Sequence, residues 1–568
     1  MAQATDTVIA GEEGGKGSAL RRWMARESIE DYSLRYAPTS FRTWAPVMVA
    51  STALGGIAYL ADYAIGASIV LANGTPSALI GILLAAVTIF VTGIPISYYS
   101  ARYGIDMDLL TRGAGFGYFG STLTSLIYAT FTFIFFALEG SIMAQAFEFG
   151  LGIPLPIGYL ITSLMVVPIV IYGMRALAKL QAWTQPFWLL IFALPLVALA
   201  IQQPQAYAEF LSFSGADGTA GVNLLGIGLA AGVALSLIAQ IGEQVDYLRF
   251  MPPLTPANRF QWWAAVLSAG PGWVILGAIK QISGGLLAVW ILDRVGEATA
   301  VEPIAQFTQG LGLVLPAWAV VPVAVVFVVV SQIKINVTNA YAGSLAWSNF
   351  FSRVLHAHPG RVVWIFLNVG VALLLMELGV FALLNAVLGF YSNVAIAWIG
   401  AVVADLVINK PILKLSPSYI EFKRAHLRAI NPVGFGSMVI ASAVSIVAFF
   451  GAFGPLLAAF SPFLALAIAF VLSPVICALT GGKYYLARTD DLQPPMQDPD
   501  GNLSTALMTC VACGTDYERP DMAACPFHEG PICSLCCTLE NSCGEVCKPE
   551  GTAADLSACQ RGHGTTCR

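Results

Sequence analysis

Twelve long apolar stretches alternate with short polar segments along the chain, near residues 44–72, 77–99, 119–149, 155–173, 183–201, 222–247, 262–292, 313–344, 362–380, 383–408, 433–452 and 456–478. Each reaches the roughly 20 residues that a helix needs to cross a hydrocarbon core. The period-two alternation of an outer-membrane strand is missing. In lipid a helix satisfies its own backbone polar groups, whereas a short isolated strand cannot. The pattern therefore predicts an all-α polytopic membrane protein with twelve transmembrane helices. Several stretches exceed a straight crossing, which predicts tilt or interruption. Residues 1–43 are polar and contain no short apolar core of a secretory signal, so they read as a cytoplasmic N-terminal segment.

Charge placement fixes the expected orientation. With the N-terminus inside, 25 of the 28 Lys and Arg residues fall in segments facing the cytoplasm, as the positive-inside rule requires. Arg294 alone falls in an outside loop, and Lys280 and Lys334 fall within helices. The expectation is a multi-pass protein of the cell (inner) membrane with both termini cytoplasmic. Charged residues make up 11% of the chain, against roughly 25% in soluble proteins. The net charge of -5 carries no nucleic-acid footprint. No nucleophilic triad, P-loop or cofactor fingerprint is present, so an enzyme is not expected. The first ten helices read as one core (44–408), followed by helices 11 and 12 with their connecting loop (409–488), a linker (489–509) containing Pro494, Pro495 and Pro499, and a Cys-rich module (510–568).

Ionisable groups at membrane depth are costly and usually face the protein interior or a wet cavity. The candidates are Asp62 in helix 1, Glu139 in helix 3, Glu243 in helix 6, Lys334 in helix 8 and Glu377 near the outer end of helix 9. Asp246 and Arg249 are spaced for an i,i+3 pair and read as structural. Asp405 and Lys410 fall at the inner boundary of helix 10. Glu139 and Lys334 lie deeper, in TFTFIFFALEGSIMAQAF and VVVSQIKINVTNAY. They read either as a buried ion pair or as a substrate or coupling-ion site, and two midplane charges favour the second. Gly55-Gly56 in helix 1 and Gly242 beside Gln240, Glu243 and Gln244 in helix 6 suggest discontinuous helices around a midplane site.

Three segments carry a resemblance: EDYSLRYAPTSFRTW (30–44), ARYGIDMDLLTRGAGFGYFGS (101–121) and DYLRFMPP (246–253). Through them and the order of its helices, residues 28 to about 485 resemble the nucleobase-cation-symport-1 family of purine, cytosine, allantoin and hydantoin permeases. The resemblance implies a LeuT-like fold, a 5+5 inverted repeat with two further helices, and a flat heterocyclic ligand held between helices 1, 3, 6 and 8. By position it implies Phe135 as the stacking aromatic, Glu139 as a ligand hydrogen-bonding group, Gln240 and Glu243 as the helix 6 lining, and Asn339 on helix 8. Phe135 and Glu139 are spaced i,i+4 on one helix face, which suits a ring that needs both a π-face and a polar partner. Sodium-coupled members carry hydroxyl residues where Lys334 and Ile335 fall here. A lysine cannot coordinate a cation, so coupling to H+ through Lys334, Glu139 and Asp62 is expected over Na+.

Ten of the eleven cysteines follow residue 488. The C-x2-C knuckles Cys510/Cys513 and Cys533/Cys536 have the spacing of a zinc ribbon or treble clef. Cys525, Cys537, Cys543 and Cys547 supply a second candidate set. Zinc is the expected metal, with an iron–sulfur role or disulfides as alternatives; a cytoplasmic location disfavours disulfides. The leading expectation is a permease for a nucleobase or related heterocycle, embedded in the lipid bilayer. The rival is a transporter-like sensor that reports ligand occupancy to a cytoplasmic protein partner through the Cys-rich tail.

Overall fold

The computed structural model describes residues 34–171, 174–216, 218, 221–498 and 501–548, with the backbone alone at 174–178. Most of the N-terminal segment, Pro499, and Cys559 and Cys567 of the tail lie outside the described residues, as do the basic residues Lys16, Arg21, Arg22, Arg26, Arg561 and Arg568.

Each of the twelve apolar stretches contains a helix. The first is split into α1 (Pro46–Gly55) and α2 (Ala61–Asn73), bent by 51°. Then follow α3 (Thr75–Tyr103), α4 (Ser121–Leu151), α5 (Leu155–Ile171) and α6 (Met174–Gln202). The sixth stretch is again two pieces, α7 (Leu224–Ala234) and α8 (Gln240–Leu248), joined by a 3-10 turn. The seventh contains α9 (Arg259–Ala269) and α10 (Trp273–Val295), and the eighth is the 39-residue α11 (Ala317–Leu355). The remainder are α12 (Arg361–Glu377), α13 (Leu384–Ala404), α14 (Gly434–Phe449) and α15 (Ser461–Thr480). Among the described residues eight spans are long and apolar enough to cross a membrane, or nine with the bent pair counted as one; α5 and α14 are shorter apolar helices.

The breaks lie close to the glycines that signalled them, but not on all of them. α1 ends at Gly55 because the side chain of Gln181 presses there: a Cβ on Gly55 would sit 2.6 Å from that of Gln181. A single turn over Gly56–Ala58 follows, then an extended Tyr59. In the sixth stretch the break precedes Gly242 by a turn. Gly242 is inside α8 and is small because the ring of Tyr128 lies 2.5 Å from where its Cβ would be. The polar run Gln240–Gln244 therefore begins the second half-helix, with nothing interrupted at Gly242 itself.

At the centre α4 crosses α11, and α2 runs along α10 with their backbones nearly touching. A Cβ on Gly66 would come within 1.8 Å of the Gln281 carbonyl oxygen, and one on Gly284 within 2.2 Å of the Tyr63 oxygen. This close approach aims α10 side chains at the break in the first span.

The tail folds as two antiparallel ribbons, β1 (Leu507–Thr509) with β2 (Asp516–Glu518) and β3 (Met522–Cys525) with β4 (Gly530–Cys533), followed by α16 (Ser534–Leu539). It lies on the same side of the bundle as the segment leading into α1. Glu518 accepts from the Tyr36 hydroxyl and from the amides of Thr39 (2.8 Å) and Ser40 (2.9 Å). Arg424, in the loop between α13 and α14, donates to the carbonyl oxygens of Cys537 (3.1 Å) and Glu540 (2.5 Å). In the same loop burial alone would raise Glu421, but Lys423 and His426 hold it down at about 2. Residues of the expected linker are packed down as well: Asp490 pairs with Arg519 at 2.9 Å, and Arg102 donates to the Gly501 oxygen at 3.2 Å.

Gly284→Val should lower the thermal midpoint of the purified protein in detergent, since overpacking a tight contact costs about 1–3 kcal/mol or more. Gly370→Ala, at a helical site with nothing within 4 Å, should leave the midpoint unchanged.

Candidate functional site

A helix that stops inside a membrane leaves carbonyl and amide groups without partners. At the break in the first span these groups are met by side chains from three other helices. Lys280 of α10 donates from Nζ to the oxygens of Ile57 (2.7 Å) and Tyr59 (3.0 Å). The same Nζ lies 2.9 Å from Asp62 Oδ2 and 3.5 Å from the centre of the Tyr59 ring. Asp62 Oδ1 accepts from Gln281 at 2.9 Å. On the opposite side Glu139 of α4 accepts from the Ala61 amide at 3.3 and 3.2 Å, on its two oxygens. Gln332 of α11 braces the arrangement. Its Nε2 donates to Glu139 Oε2 (2.5 Å) and to the Glu139 carbonyl (3.2 Å), and its Oε1 accepts from the Leu60 amide (3.2 Å). All of these side chains are buried.

The charges follow the half-helix dipoles. Two carboxylates sit at the N-terminal, positive end of α2, and an ammonium sits against the carbonyl end of the turn that closes α1.

Among the described residues several buried polar atoms on the surrounding helices have no hydrogen-bond partner. They include Gln181 Oε1, whose side chain packs against Gly55, Glu243 Oε1 and both polar atoms of Gln244 on α8, and Asn339 Oδ1 on α11. Gln240 donates to the other Glu243 oxygen at 2.6 Å. α8 and α11 reach the same break: Tyr247 and Thr338 share a hydrogen bond of 2.8 Å, and both hydroxyls lie within 3.7 Å of where a Cβ on Gly56 would be. Buried polar groups are rarely left unsatisfied, and a concentration of them between four helices has the character of a ligand site.

Asp62 and Glu139 thus meet at the break, and Gln240 and Glu243 pair with each other on α8. Phe135 lies one turn before Glu139, buried, its ring 4.5 Å from that of Phe131. Asn339 donates to Asn336 (3.2 Å), which in turn donates to the Phe136 oxygen (3.3 Å), so both belong to the α4–α11 seam. Lys334 is directed elsewhere: its Nζ donates to Gln185 of α6 at 2.7 Å. The lysine whose charge reaches Glu139 is Lys280. Its sequence signal was its position as one of only two lysines inside an apolar span.

Below this site the second and third resembling segments interlock. Arg249 Nη1 lies 3.5 Å from Asp106 and Nη2 donates to Tyr341 (2.8 Å), while Tyr128 donates to Asp246 (2.9 Å). Arg353 Nη2 lies 4.0 Å from Asp108. Lys410 pairs with Asp405 at 3.2 Å just after α13.

In the tail, Cys510, Cys513, Cys533 and Cys536 hold their four sulfurs within 4.8 Å of one another. A tetrahedral zinc with Zn–S near 2.3 Å needs sulfurs roughly 3.8 Å apart, so the set fits a single metal ion after slight contraction. The amides of Cys533 and Cys536 donate to the sulfurs of Cys510 (3.3 Å) and Cys533 (3.4 Å), which stabilises thiolates. Every described cysteine is free of disulfide.

The fold is that of known membrane transporters. The chain is similar to Mhp1, a nucleobase-cation-symport-1 family transporter, solved closed with bromovinylhydantoin bound; the TM-score is 0.59 at 17% identity, covering 81% of this chain and 100% of the other. The inward-facing conformation of Mhp1 gives 0.56 at 16% identity, over 81% and 95% of the two chains. A substrate-bound, outward-open Na+-coupled sialic acid symporter gives 0.53 at 12% identity, over 81% and 94%. No family model matches the sequence, and no curated protein does.

Lys280→Met should destabilise the protein strongly, because removing one partner of a buried pair strands the other charge at a cost of about 3–5 kcal/mol. Adding Asp62→Asn should recover a large part of the loss in thermal midpoint. Equal midpoints for the single and double variants would show that the pair does not act as a unit.

Proposed function

We propose that this chain is a secondary active transporter for a flat, hydrogen-bonding heterocycle of the nucleobase, hydantoin or cyclic ureide type. The observation that carries the reading is the interrupted first span, whose Ala61 amide meets the Glu139 carboxylate, with orphaned polar atoms of Glu243 and Gln244 on α8, which packs on α1. Such a region offers acceptors and amide groups to a ring with alternating N–H and C=O edges. Phe135, one turn from Glu139, is the aromatic wall. The ligand that Mhp1 binds in its solved structure is a hydantoin, a ring of this kind.

The coupling ion we assign is a proton. Three oxygens at the break, from Ile57, Tyr59 and Asp62, are the shell a bound cation would use, and the Lys280 ammonium already occupies it. Glu139, which has no cation of its own in direct contact, is the group we assign to take and release the proton. Uptake of radiolabelled hydantoin or uracil into proteoliposomes should rise with an inward proton gradient and be unchanged when Na+ is replaced by choline. Glu139→Gln should abolish the response to the pH gradient. Sodium-stimulated uptake that ignores the pH gradient would overturn the proton assignment.

The sensor reading keeps one specific support. Glu518, on the cysteine module, grips residues 36–40, the leader of the half-helix α1. Burial would raise this carboxyl, but the Tyr36 hydroxyl and the Ser40 and Thr39 amides hold it below its usual range, so it stays charged at neutral pH. Glu518→Gln should increase protease access to the 34–45 segment. Under the sensor reading, ligand binding would change that access in the wild type, and uptake would be absent.

A further inference from the structure

The module contains a second ring of thiols that the first metal set does not use. Cys525 ends β3, Cys537 directly follows the second knuckle, and Cys543 and Cys547 follow α16 with three residues between them. All four line one small cavity of about 20 Å3, with Ala425 of the loop between α13 and α14 on one side. Among the described residues only the first set brings three or more ligating groups close enough to share an ion, so this second ring stands wider around its cavity and must close on an ion to bind it.

We propose that Cys525, Cys537, Cys543 and Cys547 form a second tetrathiolate site for a single zinc ion, at the interface between the module and the membrane domain. The cavity has room for one ion, since about 10–15 Å3 already holds one water. Thiolate sulfur at this count favours zinc among the common divalent metals. Four thiolates and one zinc carry a net charge of minus two, and cations are placed to offset it. Arg424 of the membrane domain donates to the Cys537 carbonyl and pairs with Glu545 at 3.0 Å, between the ligands Cys543 and Cys547. Arg488 donates to the Ala524 carbonyl, next to Cys525.

The order along the chain interlocks the two sites. The knuckle at 510/513 serves the first metal and Cys525 the second; 533/536 return to the first, and 537, 543 and 547 complete the second. Neither metal loop can then open without disturbing the other. A module with a buried core of only Cys510, Met522, Ile532 and Cys533 gains its stability from such cross-linking, because apolar burial at this size is too small.

The test uses the full-length chain, purified in detergent with zinc and without added chelator. Elemental analysis should give two zinc ions per chain in the wild type and one in the Cys543→Ser/Cys547→Ser variant. Replacing zinc by cobalt should give tetrahedral thiolate absorption that falls by about half in that variant. As a check that needs no variant, peptides containing Cys525, Cys537, Cys543 and Cys547 should resist alkylation in the zinc-loaded wild type and become reactive when a chelator is added. One zinc per chain in the wild type, with these four cysteines alkylated freely, would overturn the proposal. So would two zinc ions retained in the double variant.

Discussion

The constraint on which the rest of this structure depends is the satisfaction of backbone polar groups where the first span is interrupted. In hydrocarbon each unpaired carbonyl or amide costs several kcal/mol, so a broken helix survives only where other parts of the protein complete it. Lys280, Glu139 and Gln332 do this from three different helices. Their positions in turn require that α2 and α10 nearly touch and that α4 and α11 cross at the centre, which explains the glycines at 66 and 284. The groups that repair the backbone are themselves buried charges and amides, so the break concentrates polar side chains in a single cluster.

Much of this was legible in the sequence. Long apolar stretches set the helices because length and hydropathy alone decide membrane insertion. Gly55-Gly56 marked one interruption, and Glu139 announced itself as a charge deep in an apolar run. What periodicity could not provide was direction. Glu139 and Lys334 are both midplane charges, yet one turns to the break and the other to Gln185 of α6. Which face of a buried helix meets which neighbour is fixed by packing of backbones at glycine contacts, and no one-dimensional pattern encodes that. Gly242 misled for a related reason. A glycine can be small for a break or small for a neighbour's ring, and here the ring of Tyr128 is the cause. The first four metal-site cysteines were legible because ligand spacing is local. The prolines at 494, 495 and 499 marked a linker but not its contacts: Asp490 and Gly501, within it, are fastened to Arg519 and Arg102.

The tail is joined to the membrane domain through groups of unlike chemistry: a carboxylate on the leader of α1, an arginine from the loop after α13, and a histidine at the end of α11 that meets the Thr538 oxygen at 3.3 Å. These attachments reach parts of the bundle that are far apart in sequence and adjoin the broken span or the long central helix. The module is therefore fastened to the bundle at three separate places. The interlocked charges of Asp106, Asp108, Arg249 and Arg353 form a buried polar layer within the bundle.

The lysine at the break has an electrical consequence. A free cation bound between helices travels with the substrate through the membrane field, where each elementary charge is worth about 2.3 kcal/mol per 100 mV. The Lys280 ammonium is tied to α10 by its own side chain, so it cannot leave the break as a free ion would. The charge that answers the carbonyls of the broken span is therefore a permanent part of the fold, present whatever ions the surroundings supply.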